Sequence, residues 1–178
     1  MIRPSVTIAL AVVVSTGLLD KSLKNSIVRN HNYIRLSVSH GYNGMRASRK
    51  PLPELTWGRR LEIAADEVAS RCEIPSEIQG QNTYYFPDLG TIELTSIYGL
   101  INLATQYWAF NSRNEDRFPS GNSNVTQIVW AKTRKVGRSL KICGAQNKRN
   151  MSALVVCKYW PVCNEIIKNV YKPTELIW

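Results

Sequence analysis

The chain has 178 residues, a formal charge of +10, 44% hydrophobic residues and 20% charged residues. This size suits one domain with its own core, and the proportions exclude a disordered polymer, a coiled coil and a collagen-like repeat. The excess of 23 Lys and Arg over 13 Asp and Glu makes sulfated glycans, anionic membranes and phosphate backbones attractive partners, without choosing among them.

In chain order, Arg3 precedes an apolar run from Val6 to Val14, which is shorter than the about 20 residues that span a bilayer. With small residues at Ser15 and Gly17, this pattern predicts a cleaved signal peptide over residues 1–17 and a secreted mature chain over 18–178. A retained N-terminal anchor is the alternative, and no second apolar span follows. Leu23, Ile27, His31, Ile34 and Val38 then recur at steps of three and four, predicting a helix that ends near Gly41. A basic loop carries Arg46, Arg49 and Lys50, followed by Pro51 and Pro53. Trp57, Leu61, Ala64, Ala65, Val68 and Cys72 predict a second helix stopping before Pro75, and 92–108 a third with Gly99 as its weak point. Phe118 to Asn124 reads as loop. Alternation at Val136, Arg138, Leu140 and Ile142, a turn over Gly144 to Asn150, and a β-rich run from Leu154 to Tyr159 predict a hairpin. Helices first and strands later point to an α+β domain.

Much chemistry is missing. The only histidines are His31 and His40, and there is no GxSxG elbow, which disfavours Ser-His-Asp and Cys-His catalysis. His31, at core spacing, is expected to be a packed, hydrogen-bonded side chain. Glu62, Asp66 and Glu67 are expected on the solvent side of the second helix as ion pairs with Arg59, Arg60 and Arg71. Phosphate loops, EF-hands and a basic-aromatic nucleic-acid surface are absent from the sequence. In an oxidising compartment Cys72, Cys143, Cys157 and Cys163 suggest two disulfides with all three connectivities open; no CxxC spacing favours zinc.

Four segments together resemble the CAP superfamily of cysteine-rich secretory proteins, antigen-five venom allergens and pathogenesis-related proteins: HNYIR at 31–35, LPELTWGRRLEIAADEVASRC at 52–72, VTQIVWAKTRKVG at 125–137 and ALVVCKYWPVCN at 153–164. The flavour is that of helminth venom allergen-like proteins. The resemblance implies an α-β-α sandwich with a central antiparallel sheet, and a disulfide between Cys72 and Cys143. The family's hairpin bridge would end on Cys157, but Arg138 stands at its partner position. Parity then suggests Cys157 with Cys163, two free or intermolecular thiols being the alternative. The family cavity carries two His and two Glu that hold a divalent metal. Here the segment from Glu73 to Gln79 has no His, and Gln81, Asn111 and Asn124 occupy the other positions, so neither a metal nor any other cofactor is expected.

The resemblance still allows capture of a sterol or fatty acid. Tyr84, Tyr85 and Phe86 are candidates for a lipid-lining loop, with core packing or a sheet edge as the alternative. The expected function is a secreted, non-enzymatic CAP-domain protein at a host or extracellular interface. The first alternative is a protein-interaction or immune-modulating ligand without cargo, and a hydrolase is less favoured. A host extracellular protein or a sulfated glycan is a further expected partner; nucleic acid is not. Asn150-Met151-Ser152 and Asn124-Val125-Thr126 are N-glycosylation acceptors, with Asn150 expected to be occupied and Asn124 mostly bare.

Overall fold

A computed structural model describes residues 19–40, 51–89, 96–110, 124–144 and 151–163. Among them the elements are α1 (Lys21–Ser39), β1 (Thr56–Trp57), α2 (Arg59–Ala69), β2 (Gln81–Phe86), α3 (Ser96–Phe110), α4 (Asn124–Val129), β3 (Lys135–Cys143) and β4 (Ser152–Trp160). The sheet runs in the order β1-β3-β4-β2. The expected hairpin is the antiparallel β3–β4 pair at its centre, β2 adds antiparallel to β4, and β1 adds parallel to β3. The sheet is therefore mixed, with one parallel pair at its edge.

Alternation along the strands sends their side chains to two helical layers. Leu154, Val156 and part of Tyr85 pack with Ala65 and Ala69 of α2. Val136, Val155, Cys157 and Tyr159 pack on the other side with Ile34 of α1, Trp108 of α3, and Val125 and Ile128 of α4. This is the α-β-α sandwich.

Helix α1 starts where the Asp20 carboxylate accepts from the Leu23 N–H at 2.9 Å. Its polar residues then fasten it to the rest. Asn32 exchanges two hydrogen bonds with the Leu55 backbone, at 3.1 and 2.8 Å, as a neighbouring strand would. Arg35 donates from Nε and Nη2 to Pro53 O and from Nη1 to Ile128 O and Trp130 O, all at 2.7 to 3.0 Å.

The second helix differs from its periodicity. Trp57 lies in β1, and the buried residues of α2 are Glu62, Ala65 and Ala69, so its inner face is rotated from the expected one. Glu62 is 1% exposed, contrary to the solvated pair expected of it. It accepts from Leu19 N, Trp57 Nε1, Lys24 Nζ and Arg59 Nη1 at 3.0 to 3.3 Å. Asp66 also turns to the sheet, accepting from Ser139 Oγ at 2.7 Å and pairing with Lys141 at 3.1 Å. Only Glu67 of the three is exposed. The cause is Gly137: a Cβ there would lie 2.2 Å from Glu62 N and 2.5 Å from the Leu61 carbonyl carbon, so the first turn of α2 rests on bare backbone.

Cys72, at φ 54° just past α2, is bonded to Cys143 at the end of β3. Closing a loop of that length removes on the order of 4 kcal/mol of chain entropy from the unfolded state. Cys157 and Cys163 are both buried and are not linked to one another. Cys157 lies within β4, whereas Cys163 lies past its end, where its backbone N–H donates to Gln127 Oε1 at 2.9 Å. Asn124, expected in a loop, opens α4; residues 92–95, 118–123 and 145–150 of the expected helix, loop and turn lie outside the described residues.

Gly137→Ala is expected to destabilise the fold by about 2 kcal/mol through overpacking against α2, read as a lower urea midpoint with the Cys72–Cys143 bond intact by non-reducing peptide mapping.

Candidate functional site

Cross-strand register places Asn82, Cys157 and Arg138 in one row on the face toward α1 and α3. Tyr159, two residues along β4, points the same way. His31 enters from α1, fully buried. Its Nδ1 lies 2.8 Å from Ile27 O, and its Nε2 lies 3.1 Å from the Tyr159 hydroxyl. A carbonyl only accepts, so Nδ1 carries the proton and Nε2 accepts from Tyr159. Asn82 Nδ2 donates to Tyr159 Oη at 3.2 Å and to Asn124 O at 2.9 Å. A directed chain thus runs from Asn82 through Tyr159 and His31 to α1.

The electrostatics keep this chain neutral. Burial, helped by the charges of Arg138 and Arg35 and opposed by the bond to Ile27, lowers the His31 pKa to about 3. Burial pushes the Tyr159 hydroxyl well above its ordinary range, and it pushes the Cys157 thiol up against the pull of Arg138. His31 has its lone pair occupied and no exposed surface, so it cannot take a proton from a bound substrate. His40, at the exposed end of α1, has its Nδ1 2.8 Å from Leu36 O of its own helix.

The expected degenerate metal positions do not converge. Gln81 points away from Asn82 along β2, giving its Nε2 to Thr83 Oγ1 at 3.3 Å, and its buried Oε1 has no donor. Asn124 meets the chain through its backbone carbonyl, and Asn111 lies outside the described residues. Among the described residues no three His, Cys, Asp or Glu side chains gather as metal ligands. The donor set is neutral amide oxygen, which does not fit the family's divalent ion.

The aromatic triplet is a strand rather than a loop. Tyr84 and Phe86 face α3, with rings 4.6 Å apart, and Tyr84 also meets Tyr107 at 4.6 Å. Phe86 belongs to the core, while Tyr85 turns to the α2 layer. Trp108 Nε1 donates to Thr83 O at 3.0 Å, fastening α3 to the strand. Helix α3 has no charged residue, and Tyr98, Leu103 and Tyr107 stay 40 to 51% exposed.

The cysteine-rich secretory protein family profile matches residues 28–159. The chain belongs to this CAP family. It is 27% identical over 168 residues to venom allergen 3 of Solenopsis invicta, covering 84% of this chain and 71% of that protein. The solved structure of Schistosoma mansoni venom allergen-like protein 4 superposes with a TM-score of 0.60 at 24% identity, over 81% of this chain and 90% of that one. BmVAL-1 superposes at 0.62 and 23%, over 81% and 80%. At these identities the structures speak for the fold.

Sequence reasoning anticipated His31 as packed and, through the family resemblance, Arg138 opposite Cys157, but passed over Asn82 and Tyr159. The signal for Tyr159 was available in the hairpin, since alternation along β4 puts it on the same face as Cys157.

A folded His31 that titrates near 3 while the unfolded one titrates near 6.5 means the unfolded chain binds the extra proton between those values. Stability should therefore fall as pH drops below 6.5, by about 1.4 kcal/mol per pH unit. Urea titrations between pH 7 and 4.5 check this, and His31→Gln should flatten the slope relative to the parent chain.

Proposed function

We propose that this is a secreted, non-enzymatic CAP protein that carries a sterol or fatty acid at an extracellular or host interface. The observation that carries the reading is the uncharged helix α3, which leaves Leu103 and Tyr107 exposed one turn apart beside Tyr84. Monomeric proteins seldom present contiguous apolar side chains without a partner for them, and a lipid tail along this face would cover them. The buried, neutral His31 removes the acid-base group a hydrolase would use. Venom relatives and the signal-like residues 1–17 support export.

Binding of labelled cholesterol and of a labelled long-chain fatty acid to the purified protein tests the reading. Leu103→Asp with Tyr107→Asp should weaken capture at least tenfold, whereas Ile63→Asp on the opposite layer should not. Equal binding by both variants would remove α3 as the lipid face.

A second reading, an interaction ligand without cargo, is favoured by a groove of about 780 Å³ between α1 and the segment leading into β1, lined by Arg29, Tyr33, Leu36, Glu54 and Trp57. Tyr33 there is 68% exposed. A host extracellular protein or a sulfated glycan suits such a mixed surface, and an absence of any lipid with retained binding to cell-surface material would favour it.

Export also predicts glycosylation. Asn150 should carry a glycan, while Asn124 should be bare, since Thr126 of its acceptor triplet is 4% exposed inside α4. Mass spectrometry after glycosidase release in heavy-oxygen water reads each site.

A further inference from the structure

One end of the sheet gathers exposed cations around two tryptophans. Register sets Lys135 of β3 between Thr56 of β1 and Trp160 of β4, and paired residues share a face of the sheet, here the one toward α2. Gly58, the N-cap of α2, rests against Lys135: a Cβ there would lie 3.4 Å from the Lys135 Cβ. Arg60 is exposed in the helical turn that follows, and Lys132, Arg134 and Lys135 are exposed where the chain enters β3. Trp160 is 59% exposed, and the Lys132 ammonium lies 5.7 Å from the centroid of the Trp130 ring.

This end is firmly held and short of negative charge. The Thr56 N–H donates to Arg134 O at 2.9 Å, the Arg134 N–H to Trp160 O at 2.8 Å and the Gly58 N–H to Val136 O at 2.8 Å, so three strands and the start of α2 are fastened together. Among the described residues Arg60, Arg134 and Lys135 form no ion pair. The nearby carboxylates are engaged elsewhere: Glu62 is buried under Lys24 and Arg59, the charge of Glu67 acts on Lys158, and Glu54 lines the groove beside α1. Arginines at the positive end of a helix dipole add to the field there.

We propose that this end of the sheet is a docking surface for a sulfated glycan chain. Repeated sulfates match cations spread over about 10 Å of sheet, and a platform already fixed in place loses little freedom on binding. The exposed Trp160 ring offers an apolar plate for the C–H face of a sugar. An anionic bilayer is the poorer match, because its negative leaflet faces the cytoplasm, away from an exported chain. This rests on the extracellular setting proposed above: the glycan of the second reading gains a site away from the groove, and no lipid at α3 is needed.

The test is calorimetric binding of the purified full chain to a heparin dodecasaccharide at physiological ionic strength. Arg60→Gln, Arg134→Gln and Lys135→Gln together should weaken binding at least about tenfold and lower its salt dependence. Lys21→Gln, Arg29→Gln and Arg71→Gln remove the same charge elsewhere, including from the groove, and should weaken it less than about threefold. Heparin should also shield Lys132 and Lys135 of the parent chain, but not Lys21, from acetylation read by mass spectrometry, a measurement that needs no variant. Equal losses in the two triple variants mean attraction by net charge alone, and a loss confined to the second places the glycan in the groove; either overturns the proposal. So does binding to phosphatidylserine vesicles, lost in Trp160→Ala, with none to heparin. Cholesterol capture by the first triple variant should match the parent, which separates failure here from failure of the lipid reading.

Discussion

Arg35 is the tie on which the sandwich depends, because it is the point at which α1, the segment leading into β1 and the end of α4 share one side chain. Its guanidinium is buried, and the cost of burying a charge is offset only when each donor finds an acceptor. Pro53, Ile128 and Trp130 supply carbonyls that no strand or helix partner claims at those positions. One side chain therefore meets three carbonyls and satisfies its own donors at once, sharing Trp130 O with the Thr133 N–H. Burial lowers its pKa to about 10, with Arg134 adding to the effect, so it stays charged under ordinary conditions. Asn32, one turn earlier, holds Leu55 in the same manner. Together they turn a helix flank into a substitute strand edge, which is why the short β1 can stand at the border of the sheet with no further strand beyond it among the described residues.

The other layer depends on closeness rather than on bonds. Gly137 lets α2 approach the sheet at backbone distance, and that approach turns Glu62 inward. An isolated buried carboxylate would be costly. Here Lys24, Arg59, Trp57 and Leu19 all donate to it, so a residue missing a Cβ on one element dictates a four-donor cluster on another.

These two devices explain what periodicity could and could not reveal. The helices α1 and α3 and the β3–β4 hairpin were legible because their apolar residues recur at a single period. Trp57 and Glu62 were not, because the apolar spacing of Trp57, Leu61, Ala65 and Val68 runs straight through Gly58, the N-cap of α2, so periodicity alone does not part the edge strand from the helix. Asn82 to Phe86 escaped for a different reason. Both faces of β2 are covered, so its aromatics follow one another instead of alternating with polar residues, and the period-two signal disappears. Cys163 and Cys157 misled by parity, a rule that counts thiols without knowing where the fold places them.

The loss of metal ligands and the presence of Arg138 reinforce each other. Asn82 and Arg138 stand in one row with β4 between them, about 10 Å apart by strand spacing. A divalent ion near the amide end of that row would meet a fixed positive charge, and at an effective dielectric of about 20 the repulsion is about 3 kcal/mol. Neutral amides offer nothing to balance it, and no acid in the row screens it. Restoring a single carboxylate at Gln81 would not rebuild a cation site, because that side chain turns to the opposite face of the sheet. The field inside the inner layer opposes a cation, and the chain there is built of groups that donate: the Arg138 guanidinium stacked on the Trp108 indole, a tyrosine hydroxyl already turned toward His31, and an amide nitrogen.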